Sequence, residues 1–321
     1  TGARTVFRRR EQQATVAAQV WDALSRKQPE LPAQLLVDTE LTAVRRQVDL
    51  LDGERLHGIE APLVRDALAA VASERAARSI VEVMPNVSRN ALEIVRAQPT
   101  VEAHIVVDGN RATADAAAGR FGAAYPDRTS AVVVSDPVIT LNLPRGVPRP
   151  AFVVCLGGAI SRFTTISAIR LLRSIRSAMA PHDRLMLGVD LRAGAALEEH
   201  HQHERQLRER AQLLALTAVN RACGANFDAT NFRYYARYDA ETKRLNVGVE
   251  CVRPASVRVG TTNISLSSGT VIQTGVHCGY DRRALHAMLL GVGLIIDTWH
   301  EHGSGEYAVA TVLSVHCDAR G

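Results

Sequence analysis

The sequence predicts an α/β fold built on a mostly parallel sheet, and three observations predict it. Between residues 60 and 190, short apolar strands alternate with helical stretches, the pattern of a parallel sheet covered by helices on both faces. The strand segments are near-continuous apolar runs, as strands buried on both sides require. After the last helix the chain returns as two β-runs joined by "HGSGE" (302–306), which would add an antiparallel hairpin to the sheet.

Val16, Val20 and Leu24 share one face of a helix expected over 11–28, and "QPELP" (28–32) ends it. A helix over 62–77 leads to strand 79–83, helix 86–97 to strand 103–107, and helix 110–121 to strand 131–135. Strand 151–156 is followed by helix 164–180 and strand 184–189. Residues 195–222 read as one long helix. Residues 231–273 read as antiparallel strands, "FRYYARYD", "RLNVGVECV", "SVRVG" and "TVIQT", the first two meeting at the hairpin "YDAETKR". Helix 281–292 and strands 294–299 and 306–315 complete the chain. A terminal antiparallel hairpin on a parallel sheet separates class I methyltransferases from dehydrogenases.

Composition narrows the function. Aromatic residues are 4% of the 321, too few for a stacking surface on single-stranded nucleic acid. The formal charge is +5, with arginines spread along the chain except at Arg8, Arg9 and Arg10, read as a solvated segment. There is neither an 18-residue uncharged apolar run nor a leader-like start, so no membrane partner and a cytoplasmic location are expected. The five cysteines are scattered and odd in number, which fits reduced thiols.

Ligands of open α/β sheets bind at the carboxyl ends of the strands. Four such ends carry suggestive chemistry: Glu82 with the turn 84–88, Asp108 after "HIVV", Asp136 after "VVVS", and "LGG" (156–158). A carboxylate at the second end can accept both hydroxyls of a ribose, and one at the third an adenine amino group. Glycines at the fourth let a ligand approach the backbone. Acids after strands also cap turns; their common register along one sheet edge favours a ligand. The first turn reads Met84, Pro85, Asn86, with no glycine, which counts against tight nucleotide binding.

These segments resemble the ergothioneine-pathway histidine Nα-methyltransferase family. "HDRLMLGVDL" (182–191) is similar to its "GDRLLLGVDL", "CLGGAISRF" (155–163) to its "FLGSTIGNF", and "NRACGANFDATNF" (220–232) to its "NRELGADFD…F". "LPAQLLVDTELTAVRRQVDLL" (31–51), "VEVMPNVSRNALEIV" (81–95) and "IQTGVHCGYD" (272–281) fall at three further family segments, in order. The resemblance implies a Rossmann-like methyltransferase core over 58–191 and 283–321. It also implies a smaller α+β substrate-binding domain from 1–57 and 192–282. S-Adenosylmethionine would lie across Glu82, Met84, Asn86, Ser88, Asn90, Asp108, Asp136, Pro137 and Gly157, leaving S-adenosylhomocysteine as product. The substrate would sit between the domains, and the protein would be a monomer or homodimer in amino-acid or secondary metabolism.

The departures bear on the substrate. The family's two pocket tyrosines fall at Val37 and Glu54, its amino-holding asparagine at Arg162, and its carboxylate-gripping tyrosine near Gln202. The glutamate and serine that read the imidazole fall at Gly275 and His277, and the loop lysine at Asn90. Arginine at 162 repels an ammonium and attracts a carboxylate or phosphate. The expected activity is therefore methyl transfer to a small amine-bearing metabolite other than histidine, with Glu54 or His277 accepting the amine proton. Two alternatives remain: an enzyme that uses another part of S-adenosylmethionine, by aminocarboxypropyl attack or cyclisation, and a non-catalytic homologue. His200, His203 and Glu204 could share a helical face, but the run reads as a solvated surface and no metal is assigned.

Overall fold

The structure is a computed structural model that describes residues 14–31, 38–71, 76–85 and 90–315. Contacts divide the chain into two compact units, one formed by 1–48 and 194–277, the other by 49–193 and 278–321. The sequence-based boundaries stand at 57/58, 191/192 and 282/283. The first division falls inside one helix, α2 (Thr39–Ala69).

The larger unit carries a sheet of β1 (Ser79–Val83), β2 (Ala103–Asp108), β3 (Thr129–Val134), β4 (Ala151–Cys155) and β5 (Arg184–Asp190). Two late strands join it, the residues of Leu294–Glu301 (β11) and Tyr307–Ser314 (β12). The order is β11-β12-β5-β4-β1-β2-β3. The first five strands are parallel, and β12 runs antiparallel to both β5 and β11. This is the Rossmann-like class I methyltransferase arrangement with its terminal hairpin. β1, β4 and β5 are buried throughout, whereas β3 at the edge is half-exposed, so its valines are not covered on both faces as the sequence suggests. The core joins Ile80, Phe152, Val154 and Met186 of the strands to Leu63, Val64, Ala67 and Leu68 of α2 and Ile94 and Val95 of α3 (Asn90–Ala97).

Helix ends follow local chemistry. Asn110 accepts from the N–H groups of Ala112 and Thr113 at the start of α4 (Arg111–Ala124), an N-cap worth about 1 kcal/mol. Thr164 caps α5 (Thr165–Ala178) through the Ser167 N–H. In the smaller unit α6 (Ala195–Gln202) and α7 (Arg205–Cys223) replace the single helix expected from sequence. The break lies at His203, which is extended, and Glu204, which is left-handed. His200 and His201 are buried, which corrects the solvated reading of the histidine run. The helix expected from 62 begins at Thr39 instead and passes through Pro62. α7 packs Ala211, Ala215, Leu216 and Val219 with Val20 and Leu24 of the first helix, α1 (14–24).

The smaller unit's strands are β6 (Phe232–Asp239), β7 (Arg244–Cys251), β8 (Ala255–Val259), β9 (Thr262–Leu266) and β10 (Val271–Cys278), in sheets β10-β7-β6 and β8-β9. β6 and β7 form the expected antiparallel hairpin, and β9 is a strand the sequence pattern did not separate. α8 (Arg282–Leu290) follows, capped by Asp281. No helix among the described residues is long and apolar enough to cross a membrane.

Candidate functional site

The carboxyl ends of β1, β2 and β4 meet at the middle of the larger sheet, where the strand order reverses direction about β1 and β4. Such a switch point opens a crevice above the sheet. Met84, directly after β1, has φ 50, the left-handed region that glycine normally fills. Its N–H donates to the Val107 carbonyl of β2 at 2.9 Å. The turn thus holds a glycine-like backbone without glycine, at a strain of about 1 kcal/mol or more. Asn86 and Ser88 lie outside the described residues, as does Val37.

Glu82 does not face upward as an isolated acid. It is buried, and its carboxylate is 3.0 Å from Nε2 of His104 on β2; Nδ1 of that ring is 3.3 Å from the Ser130 hydroxyl on β3. His104 stacks on Phe121 of α4. These contacts tie three strands together through side chains.

Asp108, half-buried at the end of β2, accepts the Asn110 N–H at 2.7 Å. Burial pushes its carboxyl above the usual carboxylate range, while the Asn110 bond and the charge of Arg162 hold it down. Arg162, at the end of the 3₁₀ turn Ala159–Arg162, pairs with Asp49 at 3.2 Å, both groups being partly exposed. The guanidinium that the sequence leaves seeking an anion therefore has one acid as a partner and a second within electrostatic reach. Asp136 is exposed, accepts the Val138 N–H at 2.9 Å, and precedes buried Pro137. Both Asp108 and Asp136 thus brace turns while standing at strand ends. Gly157 has φ 70 and Gly158 φ 64. Nothing lies within 4 Å of where a Cβ on Gly157 would stand, so that turn opens onto free space.

Beneath this turn lies a network that sequence reasoning missed. Glu60 of α2 is buried, and its Oε1 accepts from the Gly157 N–H at 2.7 Å and from the Tyr307 hydroxyl at 2.5 Å. The Asn90 side-chain amide at the start of α3 donates to Oε2. The Tyr307 oxygen in turn accepts the Gly158 N–H at 2.9 Å. Burial pushes the Glu60 carboxyl above its ordinary range against these three donors. It also pushes the nearby Cys155 thiol up to about 12, so that cysteine is a buried, inert thiol. Cys223, Cys251 and Cys278 are likewise buried and unbridged. Glu54, six residues before Glu60 on α2, is exposed.

The other expected substrate residues belong to the smaller unit. Gln202 is exposed at the end of α6 and accepts from Arg205 at 2.8 Å. Gly275 is exposed on β10, and its carbonyl accepts from the Gln273 side chain at 3.4 Å. His277, two residues on, has Nδ1 3.1 Å from Nε2 of His201.

Comparison with known proteins bears on this arrangement. A family model described as histidine-specific, S-adenosylmethionine-dependent methyltransferase matches residues 16–313. The histidine N-alpha-methyltransferase of Mycobacterium tuberculosis (strain CDC 1551 / Oshkosh) is 25% identical over 298 residues, covering 91% of this chain and 92% of that protein. The same-named protein of Mycolicibacterium smegmatis (strain ATCC 700084 / mc(2)155) is 24% identical over 260 residues, covering 79% and 81%. Among solved structures, the CcbJ methyltransferase from Streptomyces caelestis is 14% identical with a TM-score of 0.47, covering 79% of this chain and 90% of its own. The mitomycin 7-O-methyltransferase MmcR is also 14% identical, with a TM-score of 0.44 and coverages of 80% and 54%.

Proposed function

Because the chain belongs to the family of histidine-specific, S-adenosylmethionine-dependent methyltransferases, we propose that it methylates the nitrogen of a small amine-bearing metabolite other than histidine. The observation that carries the substrate reading is at His277. There the resemblance puts the serine that reads an imidazole, and here a histidine ring stands 3.1 Å from His201. Gly275 supplies no acid for the imidazole N–H. An imidazole N–H buried there without an acceptor would lose about 1–3 kcal/mol of affinity.

The residues fit the cofactor. Asp108 is a strand-end carboxylate suited to vicinal hydroxyls, Asp136 and Pro137 would flank the adenine, and the open turn at Gly157 leaves room for a ligand against the backbone. Met84 keeps the glycine-like backbone of the first turn. Bound S-adenosylmethionine would supply an electrophilic methyl carbon on a sulfonium. What this chain contributes is orientation and exclusion of water, with Glu60 and Asn90 holding the Gly157 turn and α3 in fixed relation. The amine must be neutral to react, so Glu54 or His277 would accept its proton. Arg162 would meet an anionic group of the substrate, bringing its Asp49 partner with it.

The test is mass spectrometry of small amines, amino acids and histidine incubated with the protein and S-adenosylmethionine. Methylation of an amine with histidine unchanged is expected; efficient histidine methylation would refute the substrate reading.

A further inference from the structure

We propose that His200, His201 and His277 form a binding site for a divalent transition-metal ion of the zinc class. One nitrogen from each ring can be chosen so that all three lie within 4.8 Å of one another. The site is built from below. Leu197 of α6 packs with Tyr234 of β6 and with Leu245 and Val247 of β7, and Glu198 accepts the Tyr238 N–H at 2.7 Å. These contacts fix the last turn of α6 over β6, burying His200 and His201. β10 lies beside β7 in the same sheet and brings His277 to the same place.

The three rings stand slightly wider than a closed coordination sphere would hold them. The three centroids are 5.3, 5.4 and 5.9 Å apart, and every pair is edge-on, at 76°, 87° and 84°. An ion 2.0–2.1 Å from each nitrogen would hold tetrahedrally disposed ring centroids about 5.2 Å apart and the nitrogens about 3.3 Å apart. His201 Nε2 and His277 Nδ1 are 3.1 Å apart.

His201 also has the outer partner a ligating histidine requires. Its Nδ1 is 3.2 Å from the Tyr234 hydroxyl, itself buried, so an Nδ1–H donated to Tyr234 leaves Nε2 as the ligand atom. Three neutral imidazoles with no carboxylate in the set suit zinc, copper, iron or nickel better than magnesium or calcium. Three protein ligands leave a fourth position for an exchangeable donor. With His277 engaged by an ion, proton acceptance in the methyl-transfer reading passes to Glu54.

Metal binding is measurable without cofactor, substrate or turnover, so it stands or falls separately from methyl transfer. Tag-free protein stripped with a chelator would be titrated with Zn²⁺ alone by calorimetry and with Co²⁺ alone by visible absorption. Saturable binding of one equivalent is expected, with the intense visible bands of four-coordinate cobalt. His277→Ala, a half-buried position, should weaken Zn²⁺ binding by at least about a hundredfold, and Tyr234→Phe by about tenfold. His277→Cys should retain binding and shift the cobalt spectrum, a readout that loss of folding would not give. Absence of saturable binding by the wild type, or His277→Ala and His277→Cys both binding as the wild type does, would overturn the site.

Discussion

Tyr307 on β12 donates its hydroxyl to Glu60 on α2 at 2.5 Å, although 247 residues separate them in sequence. The same tyrosine oxygen receives the Gly158 N–H and the same carboxylate the Gly157 N–H, so two residues from distant elements hold both glycines of one turn. The antiparallel strand that distinguishes this sheet from a dehydrogenase's is thereby linked to the conformation of a candidate cofactor loop. Burial, with Glu60 alongside, holds the Tyr307 phenol well above its ordinary value, so it acts as a neutral donor throughout the working range.

Removing that hydroxyl tests the link. Tyr307→Phe strips one donor from Glu60 and leaves the Gly158 N–H without its acceptor. A buried polar group left unsatisfied costs about 1–3 kcal/mol. Urea denaturation should show a loss of that size, and the variant should bind S-adenosylhomocysteine more weakly even where it is fully folded. Unchanged stability would mean that water or a rearranged turn replaces the hydroxyl.

Gly188 of β5 lies directly under the network. A Cβ there would meet the Tyr307 hydroxyl, stand 2.5 Å from Glu60 Oε1 and 3.2 Å from the Leu156 Cα. Gly58 of α2 has nothing within 4 Å of its Cβ position. Gly188→Ala should destabilise by about 1–3 kcal/mol through overpacking, whereas Gly58→Ala should stabilise by about 0.5–1 kcal/mol through helix propensity. Opposite shifts of melting temperature are the expected result. A neutral Gly188→Ala would show that the Tyr307–Glu60 network shifts to make room for a methyl group.

Glu60 also sets a pH dependence. Its folded carboxyl is raised by burial, so the folded protein holds the proton more tightly than the unfolded chain does. From the unfolded value near 4.3 up to the raised folded value, the folded state binds more protons, and stability from this group falls as pH rises. Glu60→Gln, neutral at every pH, should lack that slope. Stability curves of wild type and variant measured across the window should diverge; parallel curves would place the folded carboxyl at its ordinary value.

The sheet was legible because its signals are local. Five apolar strands alternating with helices, and two more after α8, announce themselves by composition and period. Glu60 was not legible for the same reason. It is a lone acid on the face that buries Leu63, Val64 and Ala67, and the sequence pattern starts its helix at Pro62, two residues past Glu60. A proline usually opens a helix; here tertiary packing carries α2 through it. His200 and His201 were misjudged because polar composition suggests a solvated face, while burial is decided by Tyr234 and His277 from strands 33 and 76 residues away.

Asp108 carries the test of the cofactor site. Asp108→Ala removes the acceptor proposed for the ribose hydroxyls, and a hydrogen bond to a charged group is worth about 1.5–3 kcal/mol. Calorimetry should show S-adenosylmethionine affinity falling by roughly 10- to 150-fold. The loss in Asp136→Ala should be smaller, since that acid is exposed. Equal affinity in Asp108→Ala and wild type would remove Asp108 from the site.

Arg162 separates two roles for one guanidinium. As a partly exposed partner of Asp49 it contributes about 0–1 kcal/mol to stability, so Arg162→Asn should fold and melt nearly as the wild type does. Its charge also opposes the effect of burial on Asp108. Without it the Asp108 carboxyl should rise further above its unfolded value and protonate earlier as the solution is acidified. A carboxylate that must be ionised to accept two hydroxyls would then fail at a higher pH. Calorimetric titrations with S-adenosylmethionine at successive pH values should show affinity in Arg162→Asn declining at a pH above that of the wild-type decline, with the two converging in alkaline solution. An anionic substrate group held by Arg162 predicts a different pattern. The cofactor profile would be unshifted, and kcat/KM would fall at every pH through a raised KM. Both profiles come from the same variant, and the cofactor titration decides whether Asp108 feels Arg162.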